Sequence, residues 1–259
     1  MYFLIYFVVI GISVFFGALA GLGGGVIIKP VLDAIGHHPL FMINFFSSVA
    51  VFLMSVTSIA KQREQRKHFP VKQMLWLALG CVIGGIVGNQ VFNVLVTSFG
   101  DEAMVNLVQI IVTVILLSAA ILYSNFGNKT LDMSGNVPLL ISGVILSALS
   151  VFLGIGGGPI NVAFFLFVFG MSIKQAAFSS ILTIFFAQLS KLITIAVTTG
   201  FGEYDFVYII PIAIAAILGS YVGSLTQNKL TDNRVQTIYT VITGLILLLN
   251  IYNAVQILV

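Results

Sequence analysis

Apolar residues in this chain neither alternate nor recur on one helical face; they run in long blocks. Eight blocks can be read, roughly Tyr2–Ile35, Leu40–Ala60, Gln73–Val96, Ala103–Ser124, Val137–Phe169, Ala176–Thr199, Phe206–Gln227 and Val235–Val259. A helix of about 20 residues crosses the hydrocarbon core of a bilayer. Six blocks fit one crossing each. The first and fifth exceed 30 residues, and each is interrupted by the same kind of sequence, Gly21-Leu-Gly-Gly-Gly25 and Gly154-Ile-Gly-Gly-Gly158-Pro159. The blocks predict helices and not barrel strands, because lumen-lining strands would alternate with a polar face.

Composition sharpens the class. Lys and Arg number 11 and Asp and Glu 8 in 259 residues, so 7% of the chain is charged and 59% is hydrophobic. Mean hydropathy is +1.14. Soluble domains carry roughly 25% charge, so a soluble globule, a disordered chain, a coiled coil and a nucleic-acid binder are all excluded. What remains is an all-α integral membrane protein. The single cysteine, Cys81, allows no internal disulfide and no cysteine-based metal cage. The first block lacks the basic flank of a cleaved leader and is read as part of the bundle.

The recurring glycine cluster signals an internal repeat. A shift of 133 places Gly23–Gly25 on Gly156–Gly158 and Ser47 on Ser180, and a shift of 135 places Gly84 and Gly88 on Gly219 and Gly223. The chain divides into halves of four blocks, 1–125 and 126–259, that form one transport domain together.

The basic residues bear on topology, since Lys and Arg near the membrane face the cytoplasm. If all eight blocks cross, the cytoplasmic loops hold Lys61, Arg63, Arg66, Lys67, Lys72 and Lys129, and the outer loops hold Lys174, Lys229 and Arg234. If the first and fifth blocks are re-entrant hairpins, all nine fall on one side, and Asp101, Glu102, Glu203 and Asp205 on the other. The second arrangement is preferred. It makes two inverted four-segment repeats, each a broken or re-entrant glycine hairpin (Gly21–Gly25, Gly154–Gly158) plus three transmembrane helices, an arrangement seen in many secondary transporters.

A helix broken inside a membrane leaves backbone groups unpaired, which is tolerable only inside protein or beside a polar cavity. The helix that resumes after the break offers free N–H groups and a positive dipole end, an anion site. Proline suits a first helical position, so the second leg of the fifth block is expected to start at Pro159. The candidate site is therefore Gly23, Gly24 and Gly25 with Gly156, Gly157, Gly158 and Pro159. The competing reading is that these are packing glycines, which is the preferred reading for Gly84, Gly88, Gly219 and Gly223.

Few polar residues could complete such a site. Lys29 and Lys191 either add charge to it or snorkel to the surface. Gln188 lies three residues before Lys191 on the same face. Ser47 and Ser48, and Ser179 and Ser180, occupy matching places, and their hydroxyls either donate to an anion or bond back to the i−4 carbonyl. Asn44 and Asn161 are weaker candidates. His37-His38-Pro39 reads as a surface loop. No metal set, no catalytic triad and no embedded carboxylate pair is present, so neither an enzyme nor a cofactor is expected. If transport is proton-coupled, the carrier would be the anion itself or Lys191.

Gly17-Ala-Leu-Ala-Gly-Leu-Gly-Gly-Gly25 followed by Lys29-Pro30, and Phe152-Leu-Gly-Ile-Gly-Gly-Gly-Pro159, resemble the sulfite exporter TauE/SafE family. The resemblance covers essentially the whole chain. It implies a multi-pass permease of the bacterial inner (plasma) membrane for small sulfur-containing anions such as sulfite and organosulfonates, with the glycine clusters and nearby hydroxyls as the site. Pro30 comes five residues after Gly25 while Pro159 follows Gly158 directly, which leaves the equivalence of the two hairpins open. An anion channel, and a non-transporting scaffold or enzyme, are the alternatives. The substrate, the direction of transport, coupling to protons or ions, and homo-oligomerisation all stay open.

Overall fold

The computed structural model describes residues 2–62, 69–100, 102–127, 129–198, 200–202 and 204–258. Arg63, Arg66, Lys67, Asp101 and Glu203 lie outside the described residues. The first half comprises α1 (Tyr2–Ala20), α2 (Gly25–Ile35), α3 (Leu40–Lys61), α4 (Val71–Phe99) and α5 (Glu102–Phe126). The second comprises α6 (Asn136–Leu153), α7 (Gly158–Phe169), α8 (Ile173–Thr198), a short 3-10 turn (Phe206–Tyr208), α9 (Ile209–Lys229) and α10 (Asp232–Leu258). No strand occurs among the described residues. Eight of these helical segments are long and apolar enough to cross a membrane.

The two overlong blocks are hairpins with unequal legs. α2 and α7 have only 11 and 12 residues, about 17 and 18 Å at 1.5 Å per residue, too short for the hydrocarbon core. Each returns to the end where its hairpin began. The Tyr2 ring stacks on His37 with centroids 3.7 Å apart. In the second half, Leu131 N–H donates to Phe167 O and Met133 N–H to Val168 O, both at 2.9 Å.

Small residues decide which helices touch. A Cβ on Gly80, Gly84 or Gly88 would lie 2.1, 2.2 or 2.4 Å from the carbonyl oxygens of Leu140, Val144 and Ala148. Equal four-residue steps on both helices make α4 and α6 parallel. A Cβ on Gly219 or Gly223 would lie 2.3 Å from the carbonyl oxygens of Gly11 and Phe15, so α9 and α1 are parallel too. Glycine stripes let backbones approach this closely, and dispersion holds them in a medium with no hydrophobic driving force between helices. Thus the long leg of each hairpin lies on a glycine stripe of the opposite half.

These contacts fix direction. α3 runs alongside α1, its Gln62 side chain donating to Ala18 O at 3.3 Å. α4 runs back, and α6 is parallel to it, so the two hairpins enter the bundle from opposite ends. At the end where α3 finishes, Asn228 donates to Lys61 O at 3.3 Å, Gln236 to Ser124 O at 2.9 Å, and Lys174 pairs with Asp232 at 3.7 Å. Lys61, Lys72, Lys129, Lys174, Lys229 and Arg234 all gather there. The opposite end carries an aromatic cap of Phe41, Phe45, Tyr204 and Tyr208. Outward faces stay apolar, with Leu79, Ile115, Leu218 and Leu248 exposed as a lipid-facing surface requires.

Candidate functional site

The glycine breaks need glycine for backbone reasons. Gly21, Gly23 and Gly24 have φ of 72°, 76° and 52°, and Gly154, Gly156 and Gly157 have 69°, 75° and 66°. Side-chain-bearing residues rarely adopt these values. α7 starts at Gly158 with Pro159 in its first turn, where the missing N–H is no loss.

The two breaks touch each other. A Cβ on Gly25 would lie 2.7 Å from Ile155 O, and one on Gly158 would lie 1.7 Å from Leu22 O. Ser47 Oγ donates to Gly154 O at 3.5 Å, and Ser180 Oγ to Gly21 O at 2.8 Å. Gly23 is covered by Ile184 and Gly156 by Val51. Every one of these pairs maps onto its counterpart under the same shift of 133. The breaks therefore interlock backbone to backbone, and each helix start faces carbonyl groups of the other hairpin.

Open space lies beside the interlock. A cavity of about 420 Å³ is lined by Asn44, Asn89, Asn93, Thr97 and Lys191 on its polar side and by Phe41, Phe45, Phe92 and Tyr204 on its apolar side. It sits toward the end away from the basic cluster. Lys191 is 6% exposed and donates to Asn44 O at 3.4 Å. Ser180, Ile184, Gln188 and Lys191 recur at helical spacing on one face of α8. That face thus runs from the interlock to the cavity.

Polar atoms at the interlock are buried without a protein partner among the described residues: Asn44 Oδ1 and Gln188 Oε1 toward the cavity, and Ser150 Oγ with Oδ1 and Nδ2 of Asn161 behind the second break. A Cβ on Gly157 would lie 2.1 Å from Ser150 Oγ and 3.0 Å from Asn161 Oδ1, so both surround the start of α7. Each unpaired buried group costs about 1–3 kcal/mol. The counterparts of Ser150 and Asn161 in the first half are Gly17 and Ile28, so the polar lining belongs to the second break alone.

The sequence candidates separate accordingly. Asn44, Asn161, Gln188, Ser47, Ser180 and Lys191 come together around the breaks. Ser48 bonds back to Asn44 O at 2.6 Å, and Ser179 reaches Met171 Sδ at 3.4 Å, so neither joins them. Lys29 is only 3% exposed and meets the second break at the end of α6, away from the Lys191 cavity, donating to Gln109 Oε1 at 2.5 Å and to Leu153 O at 3.2 Å. His37 and His38 are drawn into the aromatic cap. The Tyr6 hydroxyl lies 2.6 Å from His38 Nδ1, and Tyr208 OH lies 3.3 Å from His37 Nε2. Sequence reading missed Ser150, Asn89, Asn93 and Gln109. A polar residue one turn before a glycine break was a usable signal for Ser150; for the others only the fold supplies one.

The TauE/SafE sulfite exporter family model matches residues 5–251. The chain belongs to that family. No match is found among curated proteins or among solved structures. Membership and the eight candidate spans make the chain a multi-span membrane protein of a sulfite exporter family. Among the described residues no group of three or more His, Cys, Asp or Glu could hold a metal ion.

Proposed function

We propose that the protein is a permease of the cell membrane for a small sulfur-containing oxyanion. The anion enters the Lys191 cavity from the end poor in basic residues. It then passes to the donors around the second break, Ser150, Asn161 and Gln188, at the positive end of α7. The observation that carries this reading is a buried lysine on an open cavity, on the helix face that leads to the second break, where the Ser150 hydroxyl and the Asn161 amide are buried without a partner among the described residues. The halves act as inverted repeats within one domain, 1–125 against 126–259, and rocking of one hairpin against the other moves access across the interlock. Basic residues at the far end favour a cytoplasmic placement for it. A channel would need a continuous path, and backbone contact between the breaks argues against one.

The test is thermal unfolding of the purified protein against sulfite, thiosulfate, methanesulfonate, small carboxylates and chloride. A ligand at 100 times its Kd stabilises the folded state by about 2.7 kcal/mol. We expect a sulfur oxyanion to raise Tm, and Lys191→Met and Asn161→Leu to abolish the rise. A rise that survives Lys191→Met, or no rise with any anion, refutes the site.

A further inference from the structure

Two open cavities away from the glycine breaks line up along one seam of the bundle. The first is an apolar groove of about 250 Å³ between α5 and α7, with Leu116, Ala119 and Ala120 on one wall and Ala163, Phe164 and Phe167 on the other. The second is a polar pocket of about 330 Å³ at the basic end, where Thr130, Asp232, Asn233 and Gln236 meet the ends of α5 and α7. Tyr123 lines both. Its ring packs edge-on against Phe167 with centroids 5.1 Å apart, and its hydroxyl donates to Lys129 O at 2.9 Å. A tyrosine with its ring in apolar surroundings and its hydroxyl on a polar loop belongs at the headgroup level of a bilayer.

The seam has the length of one leaflet. From Leu116, deep in the groove, to Gly127, in the pocket, α5 rises by eleven residues, about 17 Å. Half a bilayer with its headgroups measures about 20–22 Å. The groove thus lies in hydrocarbon, where open apolar space is filled by acyl chains, and the pocket lies at the interface. The charges around the pocket have both signs. Among the described residues that line it none is Lys or Arg, and Asp232 is one of them. Asp132 stands against Gly170 on the pocket wall, where a Cβ would lie 2.4 Å from Asp132 Oδ1. Lys174 reaches Asp232 at 3.7 Å. At this end α5 and α7 finish and α8 and α10 begin. Carbonyl ends of helices favour a cation and N–H ends an anion. A headgroup that carries both charges matches this surface, whereas a purely anionic one meets two carboxylates.

We propose that the seam binds a zwitterionic phospholipid with a primary amine, of the phosphatidylethanolamine class, from the leaflet at the basic end. One acyl chain lies in the groove. The ammonium donates to Asp132 and Asp232, and the phosphate faces Lys174 and the first turns of α8 and α10. The lipid props α7, a leg too short to cross the bilayer, against α5. This site is separate from the anion path, so its test stands whatever the protein transports.

The test uses the purified full chain, stripped of lipid in detergent and titrated with dioleoyl phosphatidylethanolamine, phosphatidylcholine and phosphatidylglycerol, with bound lipid read by native mass spectrometry. The choline lipid has no N–H donor and the glycerol lipid has no cation. The ethanolamine lipid should bind at least about tenfold more tightly than either, the yield of one charge-assisted hydrogen bond. Asp132→Asn combined with Asp232→Asn should remove that preference and leave weak binding of all three. Ala119→Trp, from an exposed position on the groove wall, should weaken all three by about tenfold or more. Leu122→Trp, exposed on the same helix outside the groove, should bind like wild type. Equal affinity for the three lipids in the wild-type chain, or a preference for the glycerol lipid, overturns the proposal, and that comparison depends on no variant. Wild-type binding by Ala119→Trp overturns the groove as the acyl-chain site.

Discussion

At the scale of single residues, glycine does two separable jobs here. At Gly158 the demand is steric: a Cβ would lie 1.7 Å from the Leu22 carbonyl oxygen, on backbone held from both sides. Gly158→Ala should cost about 3 kcal/mol, the upper end for overpacking a rigid site. At Gly244, inside α10, nothing lies within 4 Å of the added Cβ. Gly244→Ala should be neutral or stabilise by about 0.5–1 kcal/mol, by restricting the unfolded chain. Thermal unfolding of both variants in one detergent checks the contrast, and a Gly158→Ala protein as stable as wild type would remove the interlock. The glycine clusters were legible in the sequence because a left-handed backbone dictates residue type locally. The partner of Lys29 was not, because Leu153 O comes from the other half, 124 residues away. Lys29 was open between charge beside the anion site and a surface anchor; its side chain is buried and turns toward the carbonyl end of α6.

At the scale of elements, the block boundaries were legible to within about three residues, because apolar length is set by bilayer thickness. What the blocks could not show is which helix lies on which. A glycine stripe on α4 announces a close neighbour without naming it, and the neighbour proves to be α6 of the opposite half. Nor could the loop Gly36–Pro39 be read as structural. There His38 joins α1, α3 and the 3-10 turn before α9 through Tyr6, Phe46 and Tyr208. Burial, then the neighbouring His37, hold His38 below its ordinary 6.5, and Asp205 opposes them. The unfolded chain therefore binds this proton more readily than the folded one, so stability falls as pH drops below 6.5. A protonated Nδ1 also cannot accept from the Tyr6 hydroxyl. Tm should decline from about pH 7 to pH 5, and His38→Gln should flatten that decline. An equal slope in the variant would show that the aromatic cap does not depend on His38.

At the scale of the molecule, two hairpins enter from opposite ends and interlock at their glycines, while the polar lining belongs to only one of them. A matched frame with an unmatched lining suits the proposed rocking: the contacts across the interlock are near-equal in either direction, and the proposed ligand site lies on one hairpin. In this conformation the Lys191 cavity opens away from the basic end, and Asn161 lies behind Gly157 at 1% exposure. Cysteine accessibility reads this arrangement directly, since the single native cysteine, Cys81, is fully buried and out of the reagent's reach. In whole cells a membrane-impermeant maleimide should label Thr97→Cys, on the cavity wall, readily. Asn161→Cys should react at least about tenfold more slowly, because reaching it needs an opening that costs about 1.4 kcal/mol or more. A bound anion can shift that equilibrium only by its differential affinity for the two states. Sulfite should therefore change the Asn161→Cys rate and slow Thr97→Cys only by occupying the cavity. Equal rates at the two positions would mean that the interlock is no barrier, and that the channel reading describes the protein better.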